Sequence, residues 1–166
     1  YTIPKFTFSS SQGKTYTIVQ DLTFEKLTTN TETISSTTNN PLLYEGSIEE
    51  YPLIRPIGEE FETINLLPGP NVIIDHFNIF VFVKETNEQN KWYEWKRVPS
   101  LFLSEPNSRN FEIRYNENKN YEIKFGNNIN GKKLNESDTV AIYYLKSNGV
   151  NGKVTKNAFA DSSINI

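Results

Sequence analysis

The chain has 166 residues, a formal net charge of −3 at pH 7 and an aromatic content of 13%. This length allows one domain with a sizeable core. The small negative charge gives no broad attraction to nucleic acid or to an anionic membrane surface, so neither is an expected partner. The lack of cysteine excludes a disulfide framework and a thiolate metal site. No apolar run approaches the roughly 18 residues of a transmembrane helix.

The N-terminal part reads as short strands separated by turns. Residues 3–8 alternate between apolar and polar side chains and predict a strand. Residues 9–13 predict a turn, and 16–19 predict a returning strand, so we expect a hairpin here. Residues 22–27 predict a third strand.

The segment 28–40 consists mainly of Thr, Ser and Asn around a single apolar residue, Ile34. It is either an exposed edge strand or a long loop. Threonine favours strands, and the segment 28–40 contains neither Pro nor Gly, so we favour the edge strand. Residues 42–48 predict a further strand with a bulge at Gly46.

Four prolines interrupt the chain, at positions 52, 56, 68 and 70. The Pro-Gly-Pro sequence at 68–70 forms a firm break. Residues 61–66 between them predict a short strand. The next segment, 71–84, ends in five consecutive apolar residues, 79–83. Such a run predicts a strand that is buried on both faces or covered by a neighbouring module.

A polar hairpin loop is expected at 85–90, followed by a strand at 92–98 that has aromatic side chains on both faces. This is unusual for a strand with one solvent face, and it suggests that the outer face contacts something. Core packing, a protein interface and stacking against carbohydrate are three open interpretations. The candidate interface residues are Trp92, Tyr93, Trp95 and Arg97.

The C-terminal part contains the clearest strand patterns. Residues 99–110 predict an irregular connection with a helical turn at 101–103. Strands are predicted at 111–115, at 121–125, where apolar residues alternate with polar ones, and at 139–145, which is rich in aromatic and β-branched residues.

Two glycine-rich segments flank the last strand. We expect the glycines to set turns, because glycine adopts positive φ without strain. Replacing Gly126 or Gly149 by Val should therefore destabilise the fold by about 1–3 kcal/mol if φ is positive there. The expected turn residues are Gly126, Gly131, Gly149 and Gly152, and the expected packing residues are Phe125, Ile142 and Tyr144.

No catalytic, cofactor-binding or metal site is expected, and the chain is not expected to be an enzyme. Residues 126–133 resemble a phosphate-binding P-loop, but Lys133 replaces the required hydroxyl and a strand follows instead of a helix. A glycine-rich hairpin loop is the preferred interpretation. The single histidine, His76, has no evident set of fellow metal ligands.

Six glutamates near the prolines raise the question of acid–base chemistry. A glycosidase would need two of them across a cleft, and a calcium site would need a D-x-D-x-D-G loop that is absent. We prefer a solvated acidic rim. These residues are Glu45, Glu49, Glu50, Glu59, Glu60 and Glu62.

These patterns predict an all-β fold, an antiparallel β-sandwich built from hairpins with at most one short helix. Residues 1–166 are expected to form a single β-sandwich region. Two lobes, 1–55 and 56–166, are the alternative, with a boundary within 52–60. Because the sequence begins with an aromatic residue and has no methionine, we expect it to be a fragment of a longer chain.

Two segments resemble the baseplate J-like family of wedge proteins from contractile phage tails. FGNNINGK at 125–132 and IYYLKSNGVNGKV at 142–154 are similar to the family pattern of an F-G-D-G loop, a strand with Tyr, and G-x-x-G-N. The segments IPKFT, LYEG and KWYEW look like those of the large wedge subunits of T-even-type phages. Asn127 and Asn128 stand where the family has Asp-Gly.

The resemblance implies a structural virion protein of the tail baseplate, assembled in the host cytoplasm. Its implied partners are other baseplate wedge proteins and copies of itself, including a homodimer, and no cofactor is implied. An alternative function is a carbohydrate- or receptor-binding β-sandwich module of a tail or surface protein, which predicts an exposed aromatic platform at Trp92 or Trp95. A hydrolase is a second alternative.

Overall fold

The computed structural model describes residues 2–26, 34–36, 42–118 and 120–153. Within these ranges the regular structure is β, with three single 3₁₀ turns at Thr86–Glu88, Leu101–Leu103 and Gly149–Gly152. The strands, in chain order, are β1 Thr2–Ile3, β2 Phe8–Ser11, β3 Lys14–Ile18, β4 Leu22–Lys26, β5 Ile34–Ser36, β6 Leu43–Glu45, β7 Ser47–Glu50, β8 Thr63–Leu66, β9 Ile73–Glu85, β10 Lys91–Arg97, β11 Asn110–Tyr115, β12 Tyr121–Lys124 and β13 Thr139–Ser147.

The strands form one seven-stranded sheet in the order β7-β13-β9-β10-β11-β12-β8, and two three-stranded sheets in the orders β1-β4-β5 and β2-β3-β6. The prediction of an all-β, mainly antiparallel fold is confirmed. One pair was not anticipated, because β10 and β11 run parallel. Parallel neighbours need a long crossover, and the connection 98–109, with its expected turn at Leu101–Leu103, supplies it.

The N-terminal hairpin is confirmed, but its bounds differ from the prediction. The first strand begins at Phe8, the second begins at Lys14, and the turn is shorter than the expected 9–13. β2 and β3 pair through a tight turn at Gln12 and Gly13, whose φ angles of 50° and 72° are both positive, as a two-residue hairpin loop requires. The single strand predicted over 3–8 is wrong. Phe6 has φ 71°, so the chain bends there, and β1 pairs with β4 instead.

Two further expectations concern the middle of the chain. β5 pairs with β4 at the edge of its sheet, as the edge-strand interpretation of 28–40 predicts, and the remainder of that segment lies outside the described residues. The strand expected over 42–48 is divided at Gly46, which has φ 134°. β6 and β7 on either side of it belong to different sheets.

The loop that follows β12 is not a hairpin loop. β12 and β13 are separated in the sheet by β9, β10 and β11, so residues 125–138 form a crossing connection. The hairpin interpretation assumed that consecutive strands pair, and sequence spacing alone does not reveal a crossover of this length.

The described residues divide into two compact units. Unit 1 comprises those within 1–49, 73–78 and 145–153, and unit 2 comprises 50–72 and 79–144. The suggested boundary within 52–60 stays a prediction. In unit 1, Ile3, Ile18 and Leu22 form a small core against Phe24.

Unit 2 contains the larger core. Along β9 the alternating residues Ile79, Val81 and Val83 are buried, whereas Phe80 and Phe82 between them are half-buried. Burial of one large apolar side chain stabilises the fold by about 1.5–3 kcal/mol. Since most of the buried apolar side chains lie in unit 2, its strands contribute most of this stabilisation. The expected packing residues Phe125, Ile142 and Tyr144 are all buried.

The turn glycines are needed for different reasons. Gly131 and Gly149 have φ of 81° and 57°, which favours glycine. Gly126 has no positive φ, but a Cβ there would collide with the backbone carbonyl groups of Asn130 and Gly131. At Gly152 a Cβ would meet the Glu45 carboxylate. The expectation based on positive φ therefore applies to Gly149 and not to Gly126.

The Gly126→Ala substitution should lower the free energy of unfolding by about 2–3 kcal/mol, since the added methyl overlaps backbone that is fixed by hydrogen bonds. Gly13→Ala is the matched control, because Gly13 has φ 72° and open space around its Cα; we expect it to cost about 1 kcal/mol. Urea unfolding of both variants measures the difference. A loss at Gly126 no larger than the loss at Gly13 would contradict a severe overlap at Gly126.

Candidate functional site

Of the aromatic residues on β10, Trp95 belongs to the core. Its side chain is 3% exposed, and its ring meets Phe125 edge-on with centroids 5.5 Å apart. The indole Nε1 donates a hydrogen bond to Glu85 Oε1 at 3.2 Å. A residue covered in this way cannot contact a partner, so Trp95 is removed from the candidate interface.

Trp92 lies on the opposite face of β10 and is 45% exposed. In the antiparallel pairing with β9 it stands opposite Lys84, while Glu94 stands opposite Phe82. These four side chains therefore share one face of the sheet. Phe82 in turn meets Tyr143 of β13 edge-on at 5.6 Å.

We call Phe82, Trp92 and Tyr143 the outer aromatic face. It carries charges of both signs, with Lys84 and Glu94 among the rings. Burial, together with the charge and hydrogen bond of Glu50, raises the pKa of Tyr143. Sequence reasoning missed Phe82 and Tyr143, although both lie at alternate positions of strands whose other face is buried. The alternation of strand positions was the sequence signal that could have placed Phe82 and Tyr143 on the outer face.

The remaining two candidate interface residues, Tyr93 and Arg97, share the face of Trp95 and are half-buried. The guanidinium group of Arg109 lies over the Tyr93 ring, 3.7 Å from its centroid, in a cation–π contact. The Tyr93 ring is therefore partly covered by Arg109. Of the four candidate interface residues, Trp92 has the most exposed side chain.

The most concentrated set of polar contacts surrounds Glu85, the last residue of β9, which is 1% exposed. Arg109 donates from Nε to Oε1 at 2.7 Å and from a terminal nitrogen to Oε2 at 2.9 Å. Lys132 Nζ donates to Oε2 at 2.6 Å. With the indole of Trp95, the carboxylate accepts four hydrogen bonds. We call these four residues the Glu85 cluster.

The contacts within the Glu85 cluster shift the pKa values of Glu85 and Arg109. Burial opposes ionisation of Glu85, but the hydrogen bonds and charges of Arg109 and Lys132 outweigh it, so the pKa of Glu85 is lowered. The hydrogen bond to Glu85 raises the pKa of Arg109. The cluster is thus ionised at neutral pH, and its carboxylate, saturated by donors, has no free position for acid–base work.

The glycine-rich loop places Lys132 in this cluster. Asn127 Oδ1 accepts hydrogen bonds from the backbone N–H groups of Ile129 and Asn130. Asn128 has φ 67°, and its side-chain oxygen accepts from the N–H of Lys133. The amine of Lys132 is engaged by Glu85, so the loop serves a structural ion pair and not a phosphate.

The candidate catalytic groups at 75 and 76 have local roles. Asp75 Oδ1 accepts hydrogen bonds from the backbone N–H groups of Phe77 and Asn78 further along β9. His76 is exposed and meets Phe77 edge-on at 5.2 Å. Within the described ranges, no three His, Asp or Glu side chains are grouped as metal ligands.

The acidic residues near the prolines are not one cluster. Glu45 accepts hydrogen bonds from Ser147 and from the side chain and backbone of Asn148. Burial opposes ionisation of Glu45, but these hydrogen bonds outweigh it, so the pKa of Glu45 is lowered. Glu49 pairs with Lys146 at 3.0 Å. Glu62 accepts from the N–H groups of Ile57 and Gly58. Glu59 and Glu60 are exposed.

No family model, curated protein or solved structure matches this chain. None of the described segments is a helix of the length and apolarity that crossing a membrane requires.

The Glu85→Gln substitution should lower the free energy of unfolding by about 2–3 kcal/mol, because Arg109 and Lys132 lose their counter-charge in a mostly buried position. The matched control is Glu88→Gln, since Glu88 is 49% exposed and lies 4.0 Å from the same arginine; it should cost about 0.5 kcal/mol or less. Urea unfolding near neutral pH measures both. Equal small losses would contradict a stabilising cluster.

The stabilisation by Glu85 should depend on pH. Its folded-state pKa is lowered, so the contribution is complete above the unfolded-state pKa of about 4.3 and is lost as the pH falls through the folded-state value. The unfolding free energies of wild type and Glu85→Gln should therefore differ by a constant amount near neutral pH and converge on acidification below about pH 4. A difference that grows on acidification would contradict this sign.

Proposed function

We propose that this chain is a structural part of a phage tail baseplate wedge subunit, and that it joins other wedge proteins and copies of itself. The observation that carries the proposal is the outer aromatic face, Phe82, Trp92 and Tyr143, presented by the largest sheet. Assembly needs a rigid module with a surface for docking, and it needs no reacting group.

The composition of the outer aromatic face is typical of a protein interface. Tryptophan and tyrosine are enriched at the centres of interfaces, where a few residues provide most of the binding energy. Lys84 and Glu94 lie among the rings, so a partner that presents both charges would be selected over one of uniform charge.

The glycine-rich loop also supports the resemblance to the wedge family. Asn127 accepts two backbone hydrogen bonds, the role that a carboxylate of aspartate performs equally well. Asn128 adopts φ 67°, a conformation that glycine takes most easily and asparagine tolerates. Aspartate and glycine are residue types that can take these two roles, so the presence of Asn127 and Asn128 is compatible with the resemblance.

Co-purification tests the proposal. A full-length tagged protein that contains this chain should retain other baseplate proteins from infected cells, and Trp92→Ala should reduce their retention at least tenfold without changing the thermal midpoint. The matched control is Leu103→Ala, because Leu103 is 92% exposed on the 3₁₀ turn Leu101–Leu103 and is not one of the residues of the outer aromatic face. Failure to retain any baseplate protein would overturn the virion role, and equal effects of the two substitutions would overturn the role of the face.

A second candidate function is carbohydrate or receptor binding, and the exposure of Trp92 favours it. An exposed indole can stack against the apolar face of a sugar ring, with neighbouring charged groups as hydrogen-bonding partners. A glycan array probed with the 166-residue chain separates the two proposals. Binding that Trp92→Ala abolishes would support recognition of carbohydrate in place of wedge assembly.

A further inference from the structure

An open groove in unit 2 lies beside β8, one end of the seven-stranded sheet. One wall is β8 with the residues that precede it. The other wall is the extended segment 51–57, which is bonded to β13 at the far end of the same sheet, since Ile54 and Val140 exchange both backbone hydrogen bonds. The groove therefore separates two edges of one curved sheet.

The edge of β8 presents unused backbone groups to this groove. Phe125 N–H donates to Glu62 O, and β8 pairs with β12 in the register Ile64↔Ile123 and Leu66↔Tyr121. In an antiparallel pair alternate residues direct their N–H and C=O groups to the same neighbour. Among the described residues, those of Thr63 and Asn65 therefore point away from β12.

The opposite wall is a less regular edge. Tyr51 and Ile54 direct their N–H groups to Ile142 and Val140 of β13, but only the isolated bridge between Ile54 and Val140 pairs this segment with the sheet. Pro52 and Pro56 also have no N–H to donate, which leaves fewer donors along this wall. The regular row of outward backbone groups that an added strand needs is therefore the one on β8.

The side chains of the groove indicate the chemistry of the occupant. Tyr51, Ile54, Ile57 and Phe61 supply apolar surface, and Ile57 is 61% exposed. Glu59 and Glu60 supply negative charge on the same lining. Neither carboxylate has an ion pair among the described residues, whereas Glu62 is held by backbone N–H groups. The groove thus attracts an apolar segment with positive charge.

We propose that this groove binds an extended, basic segment of a partner polypeptide, which adds to the free edge of β8 as a further strand. Main-chain hydrogen bonds to Thr63 and Asn65 hold the segment, its alternate apolar side chains enter the groove, and its lysine or arginine residues pair with Glu59 and Glu60. The site is separate from the outer aromatic face and does not depend on a virion role.

The test uses an acetylated and amidated peptide of eight residues that alternates valine with lysine. Amide hydrogen exchange, followed by NMR on the 166-residue chain, gives the decisive measurement. In the free protein the N–H groups of Thr63 and Asn65 should exchange fast, and those of Ile64 and Leu66 slowly. Saturating peptide should slow Thr63 and Asn65 at least tenfold and leave Ile64 and Leu66 unchanged.

Two variants and one control peptide separate the parts of the proposal. Asn65→Pro removes an outward N–H at a sheet edge, where proline is tolerated, and should weaken peptide binding at least tenfold, while Asn65→Ala keeps the N–H and should bind as wild type does. The double change Glu59→Lys and Glu60→Lys should reverse the charge preference, so that a glutamate version of the peptide binds better than the lysine version.

Other results would overturn the proposal. Protection of Thr63 and Asn65 in the free, dilute chain would show that the edge is already occupied. Protection that rises with protein concentration, with dimerisation in analytical ultracentrifugation, would assign the edge to a second copy. Equal binding by Asn65→Pro and Asn65→Ala, both with the wild-type thermal midpoint, would exclude strand addition. Loss of baseplate co-purification with peptide binding intact would overturn only the proposed function.

Discussion

The ionised, buried carboxylate of Glu85 is the constraint on which unit 2 depends. Each of its donors comes from a different part of the chain: Trp95 from β10, Arg109 from the residue before β11, and Lys132 from the loop after β12. A buried charge that lost these donors would be strongly unfavourable. The carboxylate therefore ties both crossing connections to the end of β9, through Arg109 at the end of the first and Lys132 within the second.

The sequence predicted most strands, because period-two alternation and turn residues are local signals. It identified β10 to β13, the 3₁₀ turn at Leu101–Leu103 and the all-β class. It did not predict which strands are neighbours. The hairpin expected between β12 and β13 was wrong, because β13 pairs with strands that are distant in the sequence. Contacts such as those of Glu85 with Arg109 and Lys132 are equally distant, and no short window of sequence contains them together.

The candidate site was predicted in part, for a related reason. Aromatic residues on both faces of β10 left open whether each face is core or interface, and the pattern could not say which face is the core. The side that packs is decided by Phe125 and Glu85, which cover Trp95. Trp92 is consequently left outside with Phe82 and Tyr143, two residues that the sequence presented only as strand formers.

The two edges of the large sheet differ in the backbone groups and charges that they offer to a further strand. At one end of the sheet, the segment that follows β7 carries Pro52 and Pro56, which have no N–H to offer a further strand. The β8 edge keeps its backbone groups, but Glu59 and Glu60 lie beside it. Two copies that met through this edge would bring like charges together, whereas a basic segment would neutralise them. The same acidic residues that oppose edge-to-edge self-association therefore favour a basic partner.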